Sequence, residues 1–333
     1  MFQTLTRSPE KLRSPIVPRN KADPTQSSRQ VNRLFRDIEY RYYQIKLALK
    51  KLLDERLTGR ERSNNSLLSY ILTRNDNQPD TLYQVNAGTY IYDMSAAQLA
   101  DLLERVQAIL DDYLLEGGNN NLWVLDYIAA EYERGTHKAF TNLSAQSDYY
   151  ASQTTMAQLL SSPALQNQIA AAYVATYSDW KGLSDAARSD LAGIISDAIG
   201  RGVNPRETAR LISKRLDVSM SRAKNIAQTE QIGALRKAQW LENDWSRDRL
   251  GLNTALLWHS ALKATTRPWH ASRHGRTYTT EEVESFYAEN GNRYNCYCSQ
   301  IPVILDENGQ IVNKGLTERM TEERSHWNKE ESS

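Results

Sequence analysis

The chain has 333 residues, a formal net charge of +1 and 40% hydrophobic residues, values that indicate a soluble globular protein and exclude a disordered or collagen-like one. This length predicts two domains rather than one. The sequence contains no apolar run of 18 residues and no signal peptide, and its two cysteines are too few for a disulfide framework. We therefore expect a protein that folds in the cytoplasm and does not contact a membrane.

Charge is distributed unevenly along the N-terminal half. Between residues 7 and 62, fifteen basic residues stand against seven acidic ones, a local charge of about +8. Between residues 76 and 133 the sign reverses, because eleven acidic residues stand against Arg105 alone. Each block is explained either by a solvated helix face or by a charged partner whose approach the electrostatic field would steer.

The first 60 residues predict an arm followed by a helix. Residues 1–25 contain four prolines and scattered basic residues, a composition that predicts a flexible basic arm. From about Ser27 to Leu57, apolar residues recur every three or four positions and predict one long amphipathic helix. Such a helix is long enough to project toward a partner.

The middle of the chain predicts one short β segment and a series of helices. The segment from Tyr83 to Tyr92 is typical of a hairpin or an edge strand. Ser95 and Gln98 form a capping box ahead of a helix that ends at Gly117. The further helices are predicted at 123–141, 164–179, 184–199 with Ser184 as its cap, 204–216 with Asn204 as its cap, and from Ser219 to about Trp245.

After Gly251 the hydrophobic period changes to that of strands. Strands are predicted at 254–260 and 297–305, followed by a turn at 306–309 and a short return segment. Between the strands lie a short helix around Trp269 and a second helix over 280–290. The predicted fold class is therefore mainly α, with a multi-helix N-terminal domain, long helices and a C-terminal α+β unit that contains a small antiparallel sheet.

Four short segments of the C-terminal half carry a resemblance to a known family. They are Gly202–Glu207 between two helices, Ile226–Glu230 in a long helix, Thr266–His270 followed by Gly275, and Asn295–Cys298 leading into a strand with Pro302. Their order and spacing resemble the C-terminal domain of the Mu-F-like phage head-morphogenesis proteins, the minor head proteins of tailed phages, over about residues 183–305. The chain has His274 where the family has an acidic residue, and Tyr297 where it has arginine.

The resemblance implies a structural protein of the virion rather than an enzyme. It implies a low-copy component near the portal inside the capsid, present in the host cytoplasm during assembly, with the portal protein as partner and the major capsid or scaffold protein and DNA as further partners. The predicted domain organisation is a flexible basic arm (1–25), a helical domain that binds the portal or another partner (26–180), a Mu-F-like domain (181–315) and a charged tail (316–333).

Two histidines and both cysteines form a candidate metal site. His270 and His274 lie on one face of a helix if their segment is helical, and with Cys296 and Cys298 they make a His2Cys2 set suited to tetrahedral zinc. Against zinc, protein zinc knuckles more often have two residues between their cysteines, whereas this chain has one. The alternative is a purely structural cluster of histidine and cysteine.

A second set of residues predicts a polar lock, which we define as Thr229, Glu230, Arg267 and His270. A glutamate on a helix with a buried face is costly to bury unless it is paired, and Arg267 or His270 is the expected partner. An exposed Glu230 is the alternative. These residues would tie the long helix to the α+β unit.

Two other functions remain open from the residues. One is a metal-dependent nuclease using His270, Asn295 and Glu230, or a toxin-like enzyme delivered with the genome. The other is a DNA-binding accessory protein that works through the N-terminal basic arm. Contacts with nucleic acid, or with a protein partner, are also predicted along the first helix at Arg33, Arg36, Arg41, Lys46, Lys50 and Lys51.

Overall fold

Helices form most of the structure, a computed structural model that describes residues 11–61, 90–116 and 122–330. The helices are α1 (Ser28–Arg56), α2 (Ala96–Leu114), α3 (Leu125–Gln146), α4 (Asp148–Gln153), α5 (Met156–Leu160), α6 (Pro163–Arg201), α7 (Pro205–Leu250), α8 (Pro268–Ala271), α9 (Thr280–Ala288) and α10 (Lys314–Glu330). The strands are β1 (Gly59–Glu61), β2 (Tyr90–Tyr92), β3 (Thr254–His259), β4 (Thr277–Tyr278) and β5 (Ser299–Ile304).

The predicted fold class is confirmed. Long helices precede a three-stranded antiparallel sheet near the C-terminus, in the order β4-β3-β5, with Thr254 opposite Ile304 and His259 opposite Ser299. A second sheet pairs β1 with β2, so the predicted β segment is a strand at Tyr90–Tyr92, and its residues 83–89 lie outside the described residues. In the part of the chain that the structure describes, no helix has the length and hydropathy needed to cross a bilayer.

Contacts divide the chain into two compact units. Unit 1 comprises residues 1–35, 124–176 and 225–333, and unit 2 comprises residues 36–123 and 177–224. The predicted boundary at residue 180 lies inside α6, so this division differs from the predicted one. Sequence order does not separate the units, because α1, α6 and α7 each contribute residues to both.

The helices whose sequence signals are local are present as predicted. In α1 the buried residues follow the predicted stripe, with Val31, Leu34, Ile38, Ile45 and Leu49 at most 1% exposed. The capping boxes ahead of α2 and α9 are both formed, each by a side-chain oxygen and a backbone N–H three residues apart.

Two predicted helix breaks are absent, because the serines that resembled caps bond to other helices. α6 continues through Gly182, and the Ser184 hydroxyl donates to Asp111 Oδ1 at 2.7 Å. α7 likewise continues through Ser219, whose hydroxyl lies 2.8 Å from that of Tyr42. A glycine inside a helix costs only about 1 kcal/mol, which tertiary contacts offset.

Both ends of the described chain are more ordered than predicted. The arm is extended and docked on unit 1 from residue 11 onward: Arg13 N donates to Gln146 O, and Ile16 N donates to Asn142 Oδ1 at 2.6 Å. Residues 1–10 of the predicted arm lie outside the described residues. The charged tail forms α10, which buries Leu316 and Met320. The composition of these two segments did not indicate either contact, because a few apolar residues are enough to pack each segment against the rest of unit 1.

Helices α3 and α7 approach closely at Gly135. A Cβ atom placed on this glycine would lie 2.4 Å from the carbonyl oxygen of Leu235 and 2.8 Å from Ala238 Cβ. Both distances are well inside van der Waals contact. The absence of a side chain at residue 135 therefore sets the spacing of α3 and α7 at this point.

We expect Gly135→Ala to destabilise the protein by about 1–3 kcal/mol, because the added methyl group forces the two helices apart. The matched control is Gly233→Ala in α7, where nothing lies within 4 Å of the added Cβ, and where alanine should stabilise by about 0.5–1 kcal/mol through helix propensity. Urea unfolding measures both values. Equal changes in the free energy of unfolding for the two substitutions would contradict the role given to the close approach of α3 and α7.

Candidate metal centre

The two cysteines lie in the turn before β5 rather than in the strand. Asn295 adopts a φ of +53°, and residues 296–298 have no strand pairing before β5 begins at Ser299. The Sγ atoms of Cys296 and Cys298 lie 3.4 and 3.8 Å from the Nδ1 of His270. Both sulfurs therefore lie close to the same ring nitrogen.

His270 is held in one orientation by its neighbours. It lies in α8, which Pro268 begins, and it is only 2% exposed. Its Nε2 lies 3.3 Å from the Oδ1 of Asn292, and the Nδ2 of Asn292 donates to Phe286 O at 2.8 Å. Because this second bond fixes which end of the Asn292 amide faces His270, Nε2 is the protonated nitrogen. The lone pair of Nδ1 then faces the two sulfurs.

The hydrogen bond between the two sulfurs shifts the pKa values of the two thiols in opposite directions. Burial raises the pKa of Cys296, but a hydrogen bond from Cys298 and the charge of Arg236 outweigh burial and hold this pKa well below 9. The pKa of Cys298 is raised well above 9 by its hydrogen bond to Cys296 and by burial. The arrangement thus favours ionisation of Cys296 over that of Cys298, and a metal ion would bind both residues as thiolates.

Arg236 of α7 fixes the backbone that carries both cysteines. This arginine is 2% exposed, and it donates from Nε to Cys298 O at 2.9 Å and from a terminal nitrogen to Cys296 O at 2.7 Å. Its guanidinium also lies 4.4 Å from the ring centre of Tyr287. The planar guanidinium therefore holds two carbonyls at once, which keeps the two sulfurs on the same side.

The donor atoms fit a tetrahedral zinc ion. Zinc bonds of about 2.3 Å to sulfur and about 2.0 Å to nitrogen, at the tetrahedral angle, place sulfur and nitrogen about 3.6 Å apart. The two observed distances lie on either side of this value, and all three donor atoms lie within 4.8 Å of one another. The group of His270, Cys296 and Cys298 could therefore hold a metal.

His274, the fourth member of the predicted His2Cys2 set, is not part of this group. Its Nδ1 accepts a hydrogen bond from Ser260 N at 3.0 Å, and its Nε2 lies 3.1 Å from Glu323. Burial lowers the pKa of His274 to about 4, although Glu323 acts in the opposite direction. Both ring nitrogens are thus engaged, Nδ1 with the residue after β3 and Nε2 with α10, because the turn after α8 points this side chain away from His270.

The four residues of the predicted polar lock lie in two different environments. Arg267 lies 3.4 Å from His270 and donates to the carbonyl oxygens of Asn292 and Tyr294. Thr229 donates to Asn225 O within α7, and Glu230 lines another cavity of unit 1, beside Tyr132. The structure thus differs from the predicted grouping of Glu230 with Arg267 and His270.

A cavity of about 300 Å³ lies against the candidate metal centre. Its walls include Gln228 from the second family segment, Thr266, Arg267 and His270 from the third, and Asn295, Cys296 and Cys298 from the fourth. In a helix, a residue two positions further on lies about 200° around the axis, so Gln228 faces this cavity while Glu230 faces away. Of the three residues predicted for a nuclease, His270 and Asn295 meet here and Glu230 does not.

The predicted basic contacts along α1 are partly engaged within the protein. In unit 2, Arg41 donates to Tyr113 O at 2.7 Å and lies 4.1 Å from the Trp123 ring, and Lys46 pairs with Asp217 at 2.6 Å. In unit 1, Arg33 lies 5.8 Å from the ring of Tyr127. The four exposed members are Arg33, Arg36, Lys50 and Lys51.

The comparison with protein families identifies the same half of the chain. Residues 189–301, about a third of the sequence, match the family model described as Phage Mu protein F like protein. The match confirms the predicted resemblance for this segment, which contains all three residues of the candidate metal centre. Searches of curated proteins and of solved structures returned no match.

We expect Arg236→Met to destabilise the protein by about 3 kcal/mol or more, because the carbonyls of both cysteines lose a charged donor while they remain buried. Urea unfolding measures the loss. The control is Lys237→Met at the exposed neighbouring position, which should change stability by less than about 0.5 kcal/mol. A result in which both variants unfold at the same urea concentration would contradict the role given to Arg236.

Proposed function

We propose that this protein is a minor head protein that acts in phage head morphogenesis by binding the portal. The observation that carries the proposal is the match of residues 189–301 to the Mu protein F like family. The proposed role is structural, with the protein at the portal inside the capsid and in contact there with capsid or scaffold protein and with DNA. No catalytic step is part of it.

The proposed portal-binding surface is the exposed face of α1, which we define as Arg36, Tyr40, Tyr43, Leu47 and Lys50. Its three apolar residues are 64%, 57% and 47% exposed and recur at the spacing of one helix face. Large apolar side chains exposed together mark protein interfaces, in which tyrosine and arginine contribute most of the binding energy. The two cationic residues at the ends of this surface, Arg36 and Lys50, are exposed as well.

We expect the double variant Tyr40→Ser/Tyr43→Ser to lose at least about tenfold in affinity for the portal protein of the same phage, since each tyrosine at an interface centre contributes more than about 1 kcal/mol. The measurement is capture of purified portal by the immobilised full chain. The control is Val218→Ser, another exposed apolar residue of unit 2, which should leave capture unchanged.

Two outcomes would contradict the proposed surface or role. Undiminished capture of portal by the double variant would exclude the exposed face of α1 as the binding surface. Failure of the wild-type chain to capture portal, together with retention on DNA that weakens steeply with salt, would favour the DNA-binding accessory protein instead.

The second proposal is that His270, Cys296 and Cys298 bind a zinc ion that stabilises the fold. Two thiolates and an oriented imidazole are ligands that zinc prefers, and the Asn292 contact holds the imidazole as second-shell partners of zinc ligands do. The ion would join α8 to the turn before β5. Zinc would thereby stabilise the segment that matches the family.

We expect the purified chain to contain one zinc ion, and Cys296→Ser/Cys298→Ser to contain none. Elemental analysis after dialysis measures the metal, and circular dichroism checks that the variant is folded. His326→Gln, which alters an exposed histidine, is the control and should keep the ion. If the wild-type chain is metal-free after expression with added zinc, the zinc proposal is wrong and the three residues form a purely structural histidine and cysteine cluster.

A further inference from the structure

The candidate metal centre has three protein ligands where zinc takes four. Among the described residues, no other histidine, cysteine, aspartate or glutamate has its ligand atom within the same group. Structural zinc sites are closed by four protein ligands, whereas sites with three keep one position for a water molecule or an external ligand. The fourth ligand must therefore come from outside this group.

The cavity beside the centre gives an external ligand access to that position. All three ligand residues line this space of about 300 Å³. A water molecule takes about 30 Å³ of liquid volume, so a ligand of several atoms fits. The walls also carry the hydroxyl-bearing residues Thr265 and Thr266 and the amide of Gln228, which offer hydrogen bonds.

The charges around the cavity favour an anion. Zinc with two thiolates and a neutral imidazole has no net charge, while Lys263 and Arg267 line the cavity and the buried Arg236 holds the cysteine backbone. The described residues that line the cavity include no aspartate or glutamate. Bringing an anion into this partly desolvated space therefore brings opposite charges together.

We propose that the fourth position of the zinc ion binds an oxyanion, a carboxylate or a phosphate group, that enters through this cavity. The proposal rests on the zinc site proposed above. The bound oxygen replaces a water molecule on the metal, and Lys263, whose Nζ now lies 4.4 Å from the ring of Tyr297, provides the nearby positive charge. The same chemistry would accept a carboxylate of another protein or a phosphate of a nucleic acid.

The test uses the full chain loaded with cobalt(II), whose visible absorption reports each change of ligand at a tetrahedral site. Sodium acetate and inorganic phosphate are titrated separately at constant ionic strength, with perchlorate as the non-coordinating control. We expect a saturable shift of the cobalt bands with acetate, phosphate or both. In Lys263→Gln the affinity for the anion should fall about tenfold at unchanged cobalt content, and Lys237→Gln should match the wild type.

The outcomes separate this inference from the zinc site on which it rests. A response to acetate alone identifies a carboxylate source, and a response to phosphate alone identifies a phosphate source. Cobalt bands that neither anion moves would show a closed centre, which overturns the oxyanion ligand and leaves the zinc site standing. A chain that binds no cobalt and no zinc overturns both.

Discussion

The buried guanidinium of Arg236 is the constraint on which the candidate metal centre depends. Burying a charge is unfavourable unless hydrogen bonds satisfy it, and here two carbonyl oxygens and the face of Tyr287 do so. Because the two carbonyls belong to Cys296 and Cys298, one side chain of α7 determines the conformation of the turn before β5. The sulfurs converge on His270 as a consequence of that conformation.

Local signals in the sequence were enough to predict most of the helices and the fold class. The capping boxes of Ser95 and Thr279 depend on residues three positions apart, and the apolar stripe of α1 repeats within each turn, so both signals act before any tertiary contact forms. The predicted breaks before Ser184 and Ser219 failed for a related reason. A serine hydroxyl can bond the backbone nearby or another helix, and only the tertiary structure decides which.

The centre itself could be predicted in its residue types but not in its geometry. His270 and the two cysteines were predicted as candidate metal ligands, whereas the positive φ of Asn295, which turns the chain just before the cysteines, has no signal beyond the asparagine itself. Arg236 was not predicted at all. The one sequence feature that indicates a role for Arg236 is its position beside Ile232, Leu235 and Gln239 on a buried helix face. A basic residue at such a position is usually interpreted as lying at the exposed edge of that face.

The long helix and the C-terminal sheet are joined by contacts other than those of the predicted polar lock. Gln228, Arg236 and Gln239 lie within about 100° of one another around the axis of α7, and each faces the turn that carries the cysteines or the strand that follows it. Glu230 lies on the opposite side of α7. Three of the four segments that carry the resemblance meet at one cavity. These segments therefore line a site with an accessible interior, which packing of a helix on a sheet would not by itself require.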